Sequence, residues 1–564
     1  MDKDDLKSFY IAVLLSAIIV FGVNYMFPKQ KAQETATETA NVEVAAADGQ
    51  TAADSVQTDV ASEEKAPIYA DLKETLAQDI RLPIKNEKIS GSIRLKGARF
   101  DEILLTKYKQ TIEDDSPAVE LFAPAKTEGA FFAQYGWLSS DKSLILPDSD
   151  TLWRVEGNAS LTDKTPVTLV WYNGQGLKFS YTVTLDENYL FHVTQAVENH
   201  TGHAVSLTPY GLISKHTSEE NMAGGIAHQG LSAIFDDKLK EIPYGKISEE
   251  TETFETTGGW AAMSDKYWFG AFVFDNVFQA KVNLRKTGDN TFQLDFKGLP
   301  LEIQSGASGS ISTELYAGAK EIKLLDEYAK TISKFDLTVD FGWYYFLTKP
   351  FFYILDYLYH LLGNMGWAII LFAALLRLFL FPLANKSYEN MSKMKKLQPK
   401  ITALQEKYGD DKMALQRATM ELYKREKVNP AAGCLPMFIQ IPIFFSLYKV
   451  LVIALEIRHA PFIGWVKDLS APDPLVISEW AHIWVPSALD IGVWPMIYGL
   501  TMFIQNRLNP KPANKDQARM FALMPFIFMI MFAHFAVGLV IYWTLSNILS
   551  LIQQKVIMYK NGVK

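Results

Sequence analysis

The sequence predicts a polytopic α-helical membrane protein with an all-β domain outside the membrane. The chain of 564 residues is 49% hydrophobic and 13% aromatic yet 21% charged, so it combines membrane and aqueous parts. Its net charge of −8 argues against a general nucleic-acid-binding protein. A single cysteine, Cys434, excludes an internal disulfide, and an exported domain must therefore be stabilised by its own core.

The amino-terminal region predicts an anchor followed by a tether. Residues 1–28 contain an apolar run long enough to cross most of a bilayer. A cleaved signal peptide is the alternative, but the run ends in NYMFP without an Ala-x-Ala cleavage signature. Residues 29–66 are rich in Ala, Thr, Glu and Asp and nearly devoid of large apolar groups, which predicts a disordered linker.

Residues 67–335 have the alternating pattern of a large antiparallel β-sandwich. KFSYTVTL alternates apolar and polar side chains, DEN forms a turn, and YLFHVTQAV alternates again, which predicts a hairpin. AKVNL and TFQLDF flank the turn KTGDN and predict a second hairpin. His200 and His203 have no second ligand pair at a useful spacing, so surface or packed histidines are favoured over a metal site. The simplest interpretation of this domain is a scaffold.

Hydrophobic stretches after residue 335 predict an interfacial helix and five further spans. Residues 336–360 are crowded with aromatic side chains and carry Lys349 and Asp356, which favours an amphipathic helix in the headgroup layer. The last stretch is too long for one crossing and is divided at His534–Gly538. The five spans are residues 361–383, 431–455, 491–506, 520–535 and 538–558, and with the anchor they make six.

Basic residues predict the orientation of these spans. The helical hairpin at residues 384–430 carries 11 Lys and Arg, and the loop at residues 507–519 is also basic. The loop at residues 456–490 is mainly acidic, as an external loop would be. Both termini are therefore predicted to be cytoplasmic, with the β domain on the external side.

One arginine, Arg377, lies inside a predicted span. It is six residues before Leu383, which places it about 9 Å into the apolar core. A charge at such a depth costs about 2.5–3.5 kcal/mol on insertion scales. No Asp or Glu occurs in the other apolar cores to pair with it. The side chain either reaches toward the inner headgroups or faces water.

Polar side chains of several spans fall at the depth of Arg377 and decide between these interpretations. They are Gln440, Thr501, Gln505, Ser546, Asn547, Ser550, Gln553 and Gln554. Hydrogen bonding between helices explains any one of them but not their shared depth. We therefore favour a wet cavity that is open to the cytoplasm and to lipid and closed toward the outside. Such a cavity lowers the cost of moving a short polar segment across the membrane, as an insertase must.

Two other classes of protein fit less well. A transporter would need a path to both sides and usually inverted repeats, and neither is evident. An intramembrane enzyme would need paired carboxylates, a Ser–Lys or Ser–His pair, or an HExxH-like motif within the spans. His534 is a lone histidine near an external bend and is interpreted as interfacial. We expect no enzymatic activity, no catalytic residue, no metal site and no cofactor.

The carboxyl-terminal half resembles the YidC-type membrane protein insertases. The resemblance covers residues 341–559 almost continuously and rests on LRLFLFPLANKSYENMSKMKKLQPKI, YGDDK, KVNPAAGCLPMFIQIPIFFSLYKVL, FIGWVKDLSAPDP and GLVIYWTLSNILSLIQQ. It implies five conserved helices around a cytoplasm-open hydrophilic groove, past which substrate helices slide along the third and fifth spans. It also implies a Gram-negative form, whose periplasmic sandwich resembles the galactose mutarotase-like fold without its activity.

The resemblance and the polar pattern together give a candidate substrate groove. Its residues are Arg377, Gln440, Phe444, Thr501, Tyr542, Trp543, Ser546, Asn547 and Ser550. Phe444 matches a groove aromatic of the family, and Tyr542 and Trp543 stand where the family has an aromatic pair. Where the family often has a threonine, this chain has Ala373, which weakens a fixed hydrogen-bonding role there.

The resemblance also implies partners and a location. Nascent membrane proteins, the Sec translocon, the ribosome and anionic lipids are the expected partners, and the bacterial inner membrane is the expected location. Four hairpin lysines could contact anionic lipid or ribosomal RNA, or could only set the topology: Lys393, Lys395, Lys396 and Lys400.

Overall fold

The computed structural model describes residues 70–222, 225, 227–409, 411–429, 435–486, 489–510 and 515–562. The predicted anchor at residues 1–28 and the predicted linker at residues 29–66 lie outside the described residues. The chain divides into two compact units, the first ending at Thr338 and the second beginning at Val339.

The first unit consists mainly of antiparallel strands with three short α-helices in its described part. The strands are β1 Arg81–Lys85, β2 Ile89–Arg94, β3 Arg99–Lys109, β4 Ala118–Phe122, β5 Phe131–Leu138, β6 Arg154–Gly157, β7 Val167–Tyr172, β8 Leu177–Leu185, β9 Leu190–Asn199, β10 Val205–His216, β11 Gly230–Phe235, β12 Lys238–Pro243, β13 Glu252–Ser264, β14 Trp268–Gly288, β15 Thr291–Lys297, β16 Leu301–Ile303 and β17 Ser308–Ala319. The helices are α1 Leu72–Ala77, α2 Glu219–Met222 and α3 Ile322–Tyr328.

Two rows of strands pack face to face in this unit. One row runs β6-β7-β8-β9-β17-β14 and the other runs β1-β2-β3-β5-β10-β15-β14, with the long strand β14 shared by both. Ring contacts join the two rows: Phe100 lies 5.5 Å from Phe191, and Tyr135 lies 5.5 Å from Phe272, between ring centroids. Aromatic burial between the rows forms the core of the predicted sandwich.

Both predicted hairpins are confirmed. Strands β8 and β9 pair from Leu185 with Phe191 back to Leu177 with Asn199, and the alternate residues Phe179, Tyr181 and Val183 of β8 are buried. Strands β14 and β15 pair around the turn that KTGDN predicts. The period of two gave the buried face correctly in β8 and β9, whereas β15 is buried on both faces.

The second unit consists of helices in its described part. They are α4 Tyr345–Leu362, α5 Met365–Phe379, α6 Phe381–Lys396, α7 Gln398–Tyr408, α8 Lys412–Arg425, α9 Leu435–Ile453, α10 Ile477–Ala481, α11 Val493–Leu508, α12 Lys515–Phe532 and α13 Val537–Lys560. The break between α12 and α13 falls at the predicted division, His534–Gly538. Helix α4, predicted at residues 336–360, begins only at Tyr345 and ends at Gly363, whose φ of 67° suits a glycine after a helix end.

The predicted span at residues 361–383 differs most from the structure. Helix α5 ends at Phe379, and α6 leaves it at an angle of 66°. Pro382 lies in the first turn of α6 and lacks the backbone N–H that a continuous helix would need there. Its ring would also clash with the carbonyl of Leu378, so the chain bends just after Arg377.

Few helices among the described residues have the length and composition that a membrane span needs. One helix, α13, is long and apolar enough to cross a bilayer, and the bent pair of α5 and α6 passes the same test together. Residues 438–453 and 517–532 are shorter apolar helices. The total of six spans stays a prediction.

One carboxyl group of the sandwich predicts a pH dependence. Glu120 on β4 has a buried Oε1 with no hydrogen-bond partner in the described structure. Burial raises the pKa of Glu120 from an ordinary 4.5 to about 7, and the nearby Glu102 adds to the shift. The folded chain therefore holds a proton that the unfolded chain releases between these two values. Glu120 consequently lowers the stability of the fold as the pH rises through that window.

We expect Glu120→Gln, which keeps a neutral side chain at every pH, to raise the melting temperature at pH 8 more than at pH 5. Melting of the β-sheet circular dichroism signal in the detergent-solubilised chain measures this difference. The exposed Glu156 on β6 provides the control substitution Glu156→Gln. The same stabilisation at both pH values would contradict the assignment.

Candidate functional site

Arg377 lies in the last turn of α5, directly before the bend. Helix α5 starts after Asn364, whose side chain accepts a hydrogen bond from the backbone N–H of Trp367. From that start the helix runs through mainly apolar residues until the bend at Leu380. The guanidinium is therefore carried on a rigid helix and is held beside the bend rather than on a loop.

Two hydroxyl groups accept hydrogen bonds from Arg377. Its Nη2 donates to Tyr388 Oη on α6 at 2.8 Å and to Ser550 Oγ on α13. Ser550 Oγ in turn donates to the carbonyl of Ser546 at 2.7 Å. Among the residues that the structure describes, no carboxylate pairs with Arg377, and its Nε is buried without a partner. The charge is thus positioned by neutral groups and is not neutralised.

Tyr388 is a residue of this site that our sequence analysis did not include. It was assigned to the predicted cytoplasmic hairpin at residues 384–430. It lies 11 residues after Arg377, a spacing that repeats on one helix face, but in a straight helix the two would be about 16 Å apart. The bend between α5 and α6 brings them together. Tyr388 is buried, and it packs in a cluster with Ala384 and Ile557.

The other candidate groove residues also meet on α13. Gln440 on α9 donates from Nε2 to Tyr542 Oη at 3.3 Å. Asn547 Nδ2 donates to Thr501 Oγ1 on α11 at 3.3 Å. Helix α13 therefore forms polar contacts with α5, α6, α9 and α11. Hydrogen bonding between helices, the simpler interpretation of these residues, is present in the structure.

An aromatic group lies near the amino-terminal end of the same helix. The Phe444 ring stacks on Trp543 with centroids 4.4 Å apart. Trp543 also lies 4.0 Å from Phe532 and 6.0 Å from Tyr498. The two residues of the predicted pair therefore make different contacts. Tyr542 forms a hydrogen bond with Gln440, and Trp543 packs against aromatic rings.

The polar residues of α13 lie on two faces. Ser550 and Gln553 face α5 and α6, since Ser550 accepts a hydrogen bond from Arg377 and Gln553 Nε2 donates to Asn385 Oδ1 at 2.8 Å. Asn547 and Gln554 face the other side, where Gln554 Nε2 donates to Asn509 Oδ1 at 3.0 Å. Spacings of three and seven residues return to the same face of a helix. Gln553 and Gln554, which are adjacent in the sequence, therefore have partners on different helices.

The hairpin lysines have different surroundings. Lys400 pairs with Glu426 at 2.7 Å, across from α7 to the end of α8. Burial lowers the pKa of Lys395, and nearby Lys555 lowers it further. Lys393 and Lys396 are exposed. Lys400 thus helps to hold the hairpin closed, whereas Lys393 and Lys396 are accessible to a partner.

A small apolar core holds the helices of the hairpin together. Its buried members are Leu397, Ile401, Leu422 and Val428. Helix α8 starts after Asp411, whose side chain accepts a hydrogen bond from the N–H of Ala414 at 3.0 Å and caps the helix. The described residues contain no group of three or more His, Cys, Asp or Glu side chains that could hold a metal ion.

Similarity to known families covers nearly the whole described chain. Residues 81–354 match the YidC periplasmic domain family, and residues 357–563 match the 60Kd inner membrane protein family. The membrane protein insertase YidC of Rhizobium etli is 42% identical over 99% of this chain and 96% of its own length. That of Nitrobacter hamburgensis is 45% identical over 87% of this chain and 85% of its own length. The chain belongs to the YidC family of membrane protein insertases.

YidC membership establishes the class and location of the protein. It is an inner-membrane protein with a β-rich periplasmic domain, and its relatives are insertases rather than enzymes. A crystal structure described as active YidC insertase with the first transmembrane domain resolved aligns at 19% identity, with a TM-score of 0.36, over 84% of this chain and 94% of that chain. A galactose mutarotase related enzyme of Lactobacillus acidophilus aligns at 11% identity, with a TM-score of 0.32, over 42% and 97%. TM-scores this low do not establish a shared fold, so the mutarotase-like fold stays a prediction.

The contact between Tyr388 and Arg377 predicts a loss of insertion in Tyr388→Phe. This change removes one hydroxyl acceptor but keeps the ring in its apolar cluster. A hydrogen bond that involves a charged group contributes about 1.5–3 kcal/mol, so we expect about a ten- to hundredfold loss of insertion rate. Reconstituted proteoliposomes and a single-span client provide the measurement.

Tyr559→Phe is the matched control, because Tyr559 is an exposed tyrosine on α13. A rate for Tyr388→Phe equal to that of this control would show that the hydroxyl does not position Arg377.

Proposed function

We propose that the protein moves short polar segments of nascent inner-membrane proteins across the membrane and releases their transmembrane helices into lipid. Arg377 in a hydrophilic groove open to the cytoplasm is the centre of this mechanism. The observation that carries the proposal is the incomplete hydrogen bonding of Arg377, which has two neutral acceptors and a buried, unbonded Nε. No cofactor and no covalent step are needed.

The electrostatics of Arg377 favour an acidic client segment. Hydroxyl groups orient a guanidinium but leave its full charge, and five N–H donors exceed the acceptors that Tyr388 and Ser550 supply. A client carboxylate can pair with such a group in a bidentate arrangement. This pairing then offsets the free-energy cost of moving the client carboxylate from water to the depth of Arg377, whereas a neutral segment gains less from Arg377.

The groove we propose has a polar part and an aromatic part along α13. Its polar residues are Gln440, Thr501, Tyr542, Ser546, Asn547 and Ser550, and its aromatic residues are Phe444 and Trp543. A client helix moving along α9 and α12, the third and fifth spans, would pass the aromatic part, where Phe532 of α12 contacts Trp543, while its polar end lies near Arg377. Proline 442 inside α9 weakens the backbone hydrogen bonding of that helix and lets it adjust to the client.

We propose the topology that the basic residues predict, with six spans and both termini cytoplasmic. In this topology the exposed Lys393 and Lys396 face anionic lipid or the ribosome. The protein acts alone on short translocated segments and together with the Sec translocon on larger clients.

Arg377→Ala should impair clients with acidic translocated segments more than clients with neutral ones. The physical reason is that only the acidic clients lose a charged partner at this depth. Insertion of a matched pair of clients, which differ only in acidic residues replaced by their amides, measures the ratio of the two losses. Arg519→Ala, which removes an exposed arginine in α12, is the control. Equal losses for both clients would refute the charge argument.

Photo-crosslinking tests the path of the client. A photoreactive amino acid at Gln440 or Phe444 should form adducts with a nascent single-span protein, because both side chains lie on the proposed path. Leu361 on α4 is an exposed apolar control position outside the proposed path. Strong adducts from Leu361 and none from Gln440 or Phe444 would place the client elsewhere.

A further inference from the structure

In its described part, the loop between α9 and α11 exposes six large apolar side chains, and three of them lie close together in the sequence. Trp480 is 54% exposed, Ile483 is 54% exposed and Trp484 is 87% exposed. They lie within five residues of one another, at the end of the short helix α10 and just after it. Single exposed apolar residues are common, but an exposed group with two tryptophans indicates a surface that is covered in use.

A buried carboxylate fixes this loop to the end of the helix bundle. Asp473 is only 3% exposed and accepts three hydrogen bonds. The donors are Trp465 Nε1 at 2.9 Å, the backbone N–H of Leu475 at 3.2 Å and the backbone N–H of Trp494 at 2.7 Å. The last donor lies in the first turn of α11, where a negative charge is favourable. Asp473 therefore ties the loop to α11.

Backbone contacts tie the same loop to α13. The N–H groups of Val537 and Gly538, which begin α13, donate to the carbonyls of Ala471 at 2.8 Å and Leu469 at 3.0 Å. These N–H groups would otherwise need water or lipid-exposed partners. The loop is thus anchored at the start of two apolar helices and cannot move far from their ends.

A second carboxylate holds the segment that carries the exposed group. Asp490 accepts hydrogen bonds from the N–H of Ser478 at 2.9 Å and from its hydroxyl at 2.5 Å. The backbone of His482 has a φ of 52°, which ends α10 and turns the chain between Trp480 and Trp484. The exposed side chains are therefore presented by a braced turn and not by a free loop.

The chemistry of the segment identifies the partner as a lipid surface. Residues 468–506 contain no Lys or Arg, so attraction to anionic headgroups does not hold the loop. Tryptophan prefers the boundary between headgroups and acyl chains, where its ring is buried and its N–H stays hydrated. The anchoring to α11 and α13 puts the segment at the ends of helices that lie in the membrane.

We propose that Trp480, Ile483 and Trp484 insert into the headgroup–acyl boundary of the outer leaflet and fix the depth of the helix bundle. The proposal rests on the proposed function only in requiring that α11 and α13 cross the membrane. Its consequence is that the height of Arg377 relative to the lipid surface is set from the opposite end of the bundle, by aromatic anchoring.

Fluorescence quenching by spin-labelled lipid tests this insertion. The full chain, with Cys434 replaced by serine, receives one cysteine carrying an environment-sensitive dye, at Trp484→Cys or Ile483→Cys. Both labels in proteoliposomes should show blue-shifted emission and strong quenching by lipids labelled near the headgroup. Lys467→Cys, an exposed polar position of the same loop, should stay in water and be quenched severalfold less.

Two further comparisons, of vesicle composition and of a label on α11, decide how each outcome is interpreted. Quenching at residues 483 and 484 should be equal in zwitterionic vesicles and in vesicles containing anionic lipid, and quenching that needs anionic lipid would overturn the proposal. Blue-shifted emission without lipid quenching would indicate a protein partner or a second copy and would also overturn it, as would water-like emission. A label at Leu500, exposed on α11, reports the span itself. Loss of quenching there contradicts the proposed function, whereas loss at residues 483 and 484 alone contradicts only the anchoring.

Discussion

The free-energy cost of placing the Arg377 guanidinium among apolar helices constrains the helical unit of the molecule. An arginine at the depth that we propose costs about 2.5–3.5 kcal/mol on insertion scales, and a paired carboxylate would offset much of that cost. The structure instead provides the hydroxyls of Tyr388 and Ser550. A carboxylate would have neutralised the charge within the protein and made it unavailable to a client. Hydroxyl groups position it while leaving its field intact.

The last helix provides most of the surroundings of that charge. Helix α13 bonds to Arg377 through Ser550, to α6 through Gln553 and to α11 through Asn547 and Gln554. These polar groups form hydrogen bonds across several helix contacts, so a displacement of α13 would disturb several of them together. The aromatic contacts of Trp543 lie about two turns before Ser550 and contain no charge. Helix α13 thus has an apolar, aromatic part near its start and a polar part after it.

Features that depend on neighbouring residues could be predicted from the sequence, whereas contacts between separate helices could not. Alternation in β8 and β9 gave a buried face because the period of two is a property of neighbouring residues. The excess length of residues 520–557 gave the break before α13. Arg377, Ser550 and Gln440 were found because polar groups in apolar stretches are conspicuous, whereas Phe444 came from the resemblance to the family.

Tyr388 was missed because its contact depends on a bend between two helices. The bend itself had a signal, since Pro382 follows Arg377 by five residues and disfavours a continuous helix. Extending the span to Leu383 ignored that signal and assigned Tyr388 to a different region. The direction in which α6 leaves α5 is set by packing against α13, including the cluster of Tyr388 with Ile557. No pattern within residues 361–396 contains that information.

The opposite end of the bundle supports the closed outer side of the groove that we propose. The loop carbonyls of Leu469 and Ala471 accept the first N–H groups of α13, and Asp473 accepts an early N–H of α11. Helix starts of this kind are normally hydrated, and open ends would draw water into the seams between helices. Protein acceptors satisfy these donors instead. In the mechanism we propose, Arg377 is hydrated from the cytoplasmic end alone, and the asymmetry that an insertase needs is favoured by where these backbone donors find their partners.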